Sequence, residues 1–308
     1  MIDITLIGTG ALMPIPDRAL ASVLLRTEGK TVLFDCGEGT QAAARKAQAS
    51  TINVDVIALT HYHGDHVFGL PGLLQTMQCM DRTSPLTIIG PRGINAALEP
   101  ILALAGETSY EIRLVEAGET PIKLSGIVDG FNPLAVLTPF KVNHFVTACG
   151  YSFTLGRMGR FNPERAEELN IPVEKWGVLQ KGESVTVGEN VITPEQVMGD
   201  RRKGLKIVIS GDTAECDSLT ENVKDADLFI CEATLGENEQ QSLANERGHM
   251  TFASAAKTAK KANVKQLCLT HFSPRVVDAN DYIENASSIF ENTVCGTDGM
   301  RLTLDFEE

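Results

Sequence analysis

The sequence is short of histidine, with six in 308 residues. It is short of aromatics too, at 6% and with a single tryptophan. Basic residues are outnumbered, 27 Lys and Arg against 40 Asp and Glu, for a formal charge of −13. That balance excludes a general nucleic-acid coat, whose affinity depends on cations that neutralise phosphates; a local basic patch stays open. No apolar run approaches the roughly 20 residues of a membrane span. The start, "MIDITLIGTGALMP", has neither the basic opening nor the long apolar stretch of a secretion signal. The seven cysteines are odd in number, contain no CxxC, and fall partly in apolar runs such as "LFICEA" and "QLCLTH". They read as buried free thiols in a reducing compartment rather than a disulfide framework or zinc knuckle. A cytoplasmic chain with no membrane association is expected.

Short runs rich in Val, Ile and Leu end in turn residues: "ITLIGTG", "SVLLRT", "TVLFDCGEGT", "VDVIALTH", "LTIIGP". Helical patterns intervene in "GLLQTMQCM" and "GINAALEPILALAG". The second half repeats the style with "KIVISGDT", "DADLFICEA", "TFASAAKTAKKAN" and "QLCLTHFSPR". Strands mixed with helices indicate a layered α/β protein. Hairpin-length links such as "RTEGKT" favour mixed sheets over a purely parallel one.

Half of the scarce histidines crowd into "LTHYHGDHVFGLPGL", Leu59 to Leu73. The apolar run "VDVIALT" predicts a buried strand, with His61 at its end. His61 and His63 are two apart and face the same way in extended backbone. Gly64 permits a sharp turn, which sets Asp65 and His66 at a helix start. Four ligand-capable side chains can thus converge, and neutral imidazole with carboxylate suits zinc or another borderline divalent metal. A lone HxH would be read as solvated loop; HxHxDH after an apolar strand is far more specific.

Two metals need more ligands than one such turn supplies. His144 after "TPFKVN", Asp212 in "ISGDT" and His271 in "LCLTH" each close an apolar strand pattern, where open α/β folds place their sites. Singly, each is as well explained as a cap or a buried hydrogen-bonded residue; with the first cluster, ligation is the better reading. The sixth histidine, His249 in "ERGHMTF", is either a helix-start residue or the acid that protonates a leaving oxygen. Glu232 in "CEAT" either orients that histidine or merely ends a strand.

Residues 156–206 differ in composition, with few long apolar runs and nine basic residues against eight acidic ones. The segment reads as an arm, or as a solvated connection between two halves.

In order along the chain, "LIGTGALMPIPDRALAS", "FDCGEGTQ", "LTHYHGDHVFGLPGL", "ISGDT", "CEAT", "GHMT" and "LTHFSPR" resemble the motifs of the metallo-β-lactamase fold hydrolases. The last two with "GDT" narrow the resemblance to the ribonuclease Z family of tRNA 3′-end endonucleases. It implies one domain over residues 1–308, a four-layer αββα sandwich of two similar halves, with a substrate-binding arm at about 156–181. It implies two divalent metal ions, zinc by default with manganese also fitting. One would sit on His61, His63 and His144, the other on Asp65, His66 and His271, with Asp212 bridging and Asp35 orienting a ligand from behind. It implies cleavage of precursor tRNA before its 3′ trailer by a metal-activated hydroxide. Asp65 would orient or deprotonate that nucleophile, and His249, supported by Glu232, would protonate the leaving 3′ oxygen. Arg157 and Arg160 on the arm, Arg201 and Arg202 on a basic approach to the metal site, and Ser273 in "THFSPR" would contact substrate. A homodimer is implied as well. In "GRMGRFNP", Met158 stands where the family commonly has proline, and the arm is not strongly basic. The alternative is a hydrolase of small diesters or other small substrates on the same fold. An interaction subunit that has lost catalysis is disfavoured, because every expected ligand is present.

Overall fold

The computed structural model describes residues 1–307. Two seven-stranded sheets form its centre. The first runs Arg301–Leu304, Ile2–Gly8, Ser22–Thr27, Lys30–Phe34, Val56–Ala58, Leu86–Gly90, Ile112–Glu116. The second runs Thr293–Cys295, Leu267–Thr270, Leu228–Glu232, Arg202–Ile209, Cys149–Arg157, Ala135–Lys141, Ile122–Lys123. Each sheet joins an antiparallel meander to a set of parallel strands. The halves are therefore alike, and the sheets are mixed as the hairpin-length links require. In "RTEGKT" the strands pair as Thr27 with Lys30, and Glu28 and Gly29 both have positive φ, 49° and 80°. That is the turn handedness that matches strand twist.

The alternation of side chains builds four layers. Val32, Phe34, Val56 and Ala58 face Ile207, Ile209, Leu228 and Ile230 in the core between the sheets. Their neighbours Leu33 and Ile57 point the other way, against Leu70, Leu73, Leu74 and Met77 of the helix Leu70–Cys79. Val208, Phe229 and Cys231 do the same in the second half, against Phe252, Ala255, Ala256 and Ala259 of the helix Phe252–Lys261. A period of two in each strand thus gives every sheet two apolar faces, one for its partner sheet and one for helices.

Between Arg157 and Arg202 the chain leaves the second sheet. It forms the helices Pro163–Glu168 and Val173–Gln180 and the hairpin Val185–Val187 with Asn190–Ile192. These have a small core of their own, including Ala166, Ile171, Leu179, Ile192 and Val197. The excursion thus extends past the residue 181 at which the arm was expected to end. All seven cysteines are free; five are buried, but Cys79 is exposed and Cys216 half-buried, so the expectation of buried thiols fails at those two. Among the described residues no helix is long and apolar enough to cross a membrane.

Candidate metal centre

The site lies where the strands of both sheets end. Val56–Ala58 leads into buried Thr60 and His61, and the helix Gly64–Val67 begins directly after His63. A Cβ on Gly64 would lie 2.4 Å from the Phe68 ring, so glycine lets that ring lie over the turn. Asp35 follows the strand Lys30–Phe34, and His271 follows Leu267–Thr270. Both have left-handed backbone, φ 56° and 59°, an uncommon state for residues with a side chain and one that clusters at functional sites. His144 lies three residues beyond Ala135–Lys141, Asp212 three beyond Arg202–Ile209, and Glu232 closes Leu228–Glu232.

These residues come together in three dimensions. Ligand-capable atoms of His61, His63, His144 and Asp212 all lie within 4.8 Å of one another, and so do those of Asp65, His66 and His271. Asp212 touches both groups. Its Oδ2 is 3.7 Å from His61 Nε2, and its Oδ1 is 3.4 Å from His66 Nε2 and 3.3 Å from His271 Nε2. Asp65 Oδ2 is 3.5 Å from His271 Nε2 and accepts the Leu12 N–H at 2.7 Å.

Most of the imidazoles are anchored from behind through Nδ1. His66 Nδ1 is 2.8 Å from Asp35 Oδ2, His144 Nδ1 is 2.9 Å from the Gly248 carbonyl, His61 Nδ1 is 3.0 Å from Thr60 Oγ1, and His271 Nδ1 is 3.0 Å from Thr234 Oγ1. With the proton on Nδ1, the neutral ring presents a bare lone pair on Nε2. Such nitrogens face each other here: His66 Nε2 is 3.2 Å from His271 Nε2, and His61 Nε2 is 2.9 Å from His63 Nδ1. Two buried atoms in the cluster, His144 Nε2 and Asp212 Oδ1, have no hydrogen-bond partner. Lone pairs aimed at lone pairs, with orphaned acceptors among them, repel unless a cation lies between. The donor set is therefore chemically suited to divalent metal.

Charge and burial explain the acid–base state. Burial holds His61 well below its ordinary pKa, with neighbouring His66 adding to the effect, and burial lowers His63 and His144 as well. Burial would also depress His66, but Asp212 and Asp35 outweigh it and raise that ring well above the usual histidine range, so without a cation the two carboxylates favour a second proton on Nε2, whose place a metal ion would take. Burial would raise the Asp212 carboxyl; His271 and His66 instead hold it well below the carboxylate range. Asp65 is lowered likewise, as the His271 hydrogen bond and the charge of His66 overcome its burial.

His249 stands beside these groups. Its Nδ1 is 2.8 Å from Glu232 Oε1, and against the effect of burial Glu232 raises this imidazole to about 9. Glu232 is held in place by the backbone N–H groups of Thr213, Thr234 and Met250 and by the Thr234 hydroxyl. His249, His63, Asp65 and Asp212 line an open cavity of about 550 Å³ that contains no Lys or Arg.

Two residues absent from the sequence reading support the centre. Thr60 Oγ1 lies 2.9 Å from Asp35 Oδ2 while contacting His61, and Thr234 Oγ1 lies 2.7 Å from Glu232 Oε2 while contacting His271. Threonine at the end of a strand reads as ordinary strand composition, so nothing local marks either hydroxyl.

The proposed substrate contacts are placed differently. Arg157 and Arg202 pair at the far ends of their strands, and the eight residues of Arg202–Ile209 carry the chain roughly 25 Å to the metal cluster at ~3.3 Å per residue. The expected basic approach to the metal site by Arg201 and Arg202 is therefore corrected: it lies at the root of the excursion. There Arg157 donates to the Glu307 carbonyl, Arg202 donates to the Met158 carbonyl, Arg201 pairs with Glu195, and Arg160 is exposed. Ser273 is buried and its Oγ accepts the Arg275 N–H, so it closes the turn after His271 rather than facing the cavity.

Comparison with known proteins agrees with this geometry. Residues 16–87 match the metallo-beta-lactamase superfamily, and residues 160–272 match the beta-lactamase superfamily domain. The chain is 40% identical to ribonuclease Z of Lachnospira eligens over 308 residues, covering 100% of this chain and 99% of that one. It is 40% identical to ribonuclease Z of Clostridioides difficile, covering 100% of both. The crystal structure of the short form of human tRNase Z superposes with a TM-score of 0.69 at 28% identity, covering 99% of this chain and 100% of that one. Full-length identity at this level decides the matter: the chain belongs to the ribonuclease Z family of the metallo-β-lactamase superfamily.

Proposed function

We propose that this chain is a metal-dependent endoribonuclease that removes the 3′ trailer of precursor tRNA. The observation that carries the reading is the convergence of seven ligand-type side chains on buried, unpartnered acceptor atoms beside the Glu232–His249 pair. One ion would be held by His61, His63 and His144, the second by Asp65, His66 and His271, with Asp212 shared. Zinc suits this set best, and manganese also fits a carboxylate-bridged site. When bound, the ions supply Lewis acidity, offsetting phosphodiester charge and lowering the pKa of water.

The chain's own groups do the rest. Asp35, Thr60, Thr234 and the Gly248 carbonyl fix the ligand rings. Asp65 orients the attacking water from the cavity wall. His249 gives the proton of its Nε2 to the leaving 3′ oxygen, while Glu232 stabilises the charged ring from Nδ1. The products are a tRNA body with a 3′-hydroxyl and a trailer with a 5′-phosphate. The arginines at the root of the excursion lie far from the cut, a placement that fits contact with a remote part of a large RNA. The same reading takes the enzyme as a cytoplasmic homodimer.

The test is parallel incubation of metal-loaded protein with a 3′-extended precursor tRNA and with bis(p-nitrophenyl) phosphate, with the RNA ends mapped. A single cut at the start of the trailer is expected. Rapid diester hydrolysis with the RNA left intact would reverse the choice in favour of a small-substrate phosphodiesterase.

A further inference from the structure

The chain hides its few aromatics, with two exceptions. Among the described residues only Phe68 and Phe145 are exposed rings, at 65% and 67%. Both line the metal cavity, together with His63, Asp65 and His249.

Neither ring is loose. Phe145 packs on His144 with centroids 4.2 Å apart and lies 5.3 Å from His63. Phe68 lies across the bare α-carbon of Gly64, which leaves its outer face open. Leu12 and Met13, both 59% exposed, complete an apolar wall. Leu12 is held there in left-handed conformation, φ 67°, by its N–H bond to Asp65.

An exposed aromatic costs solvation free energy wherever it has no ligand, and braced rings beside a polar site are suited to flat partners. The cavity walls offer no Lys or Arg. Within this cavity recognition therefore comes from something other than Lys or Arg side chains. Resting on the ribonuclease reading above, we propose that Phe68 and Phe145 form a stacking rim that receives unpaired nucleobases on the two sides of the scissile phosphodiester. Every base has a π-face, so such a rim tolerates sequence while demanding a single strand. A base inside a helix, stacked on both faces, cannot lie on either ring.

The experiment combines protein and RNA changes. Phe68→Leu and Phe145→Leu keep apolar bulk and remove the π-face; Phe68→Trp and Phe145→Trp keep it. Each variant, with its metal content measured, is assayed on a 3′-extended precursor tRNA and on the same RNA made abasic at the nucleotide either side of the cut. Stacking predicts that the Leu variants lose ~10-fold or more in kcat/KM on the normal RNA. They should lose little further on the abasic RNA, which by itself should cost the parent enzyme a similar factor. Tryptophan should restore the rate. A 2-aminopurine beside the cut should be quenched on binding metal-free parent protein, and less by the Leu variants. Leu variants at full kcat/KM, or Leu and abasic losses that simply multiply, overturn the rim. Parent enzyme that hydrolyses bis(p-nitrophenyl) phosphate but leaves RNA intact overturns the ribonuclease reading and this inference with it. RNA cleavage indifferent to the Leu variants overturns the rim alone.

Discussion

His249 Nδ1 lies 2.8 Å from Glu232 Oε1, and Glu232 is otherwise saturated by three backbone N–H groups and a threonine hydroxyl. A carboxylate so fixed sets one tautomer and one orientation of the imidazole. His249→Ala should therefore lower kcat by ~100-fold or more while metal content is retained: although His249 lies within ligand reach of Asp212 and His271, its Nδ1 is taken by Glu232 and each ion would have three other ligands besides Asp212. Metal analysis beside steady-state kinetics checks this; nearly full turnover in a loaded variant would end the acid role.

The Glu232 charge is what keeps His249 protonated. An acid must carry its proton, so activity is present below the pKa of His249 and lost as pH rises through it. Glu232→Gln removes the charge that raises that pKa. The alkaline limb of the kcat profile should then move to lower pH. An unmoved limb would show that another group sets it.

Asp212 touches both ligand groups. Asp212→Ala should lose bound metal and activity together. Chelation of the parent protein should lower its melting temperature, because ligand binding to the native state alone adds RT ln(1 + [L]/Kd) of stability. A fully loaded, active Asp212→Ala enzyme would remove the bridging assignment.

Thr234 joins Glu232 to His271 through one hydroxyl. Thr234→Val keeps the shape and leaves both groups without that partner. Metal affinity, measured by chelator competition, should fall by ~10- to 100-fold, the usual effect of losing a hydrogen bond behind a ligand. Thr234→Ser should restore it. Equal affinity in all three proteins would make the hydroxyl incidental.

The excursion has its own small core, with Leu179 fully buried, and contains the only tryptophan, Trp176. Leu179→Ala should destabilise this unit by about 2–5 kcal/mol. Trp176 fluorescence should then melt earlier than the far-ultraviolet signal of the two sheets. Coincident transitions would show that the excursion unfolds only with the rest.

Local signals are legible in the sequence wherever the physics is local. Continuous apolar runs such as "VLF" and "IVI" mark strands with two apolar faces, and the structure seats those faces in separate cores. "HYHGDH" brings its ligands close by itself, because a strand end, a glycine turn and a helix start span only six residues. Polar residues closing apolar strands point to one end of the sheets where those strands run parallel, since their C-terminal ends gather there whatever the register. What no local pattern holds is which strand end meets which. His66 faces His271 across 205 positions of sequence only because two sheets pack in one register. Thr60 and Thr234 become anchors only once Asp35, Glu232 and the histidines surround them. Arg201 and Arg202 looked adjacent to the metal site along the chain; the length of an extended strand carries them to its opposite end. Sequence distance measures separation along a path, and only the tertiary fold decides where that path turns back.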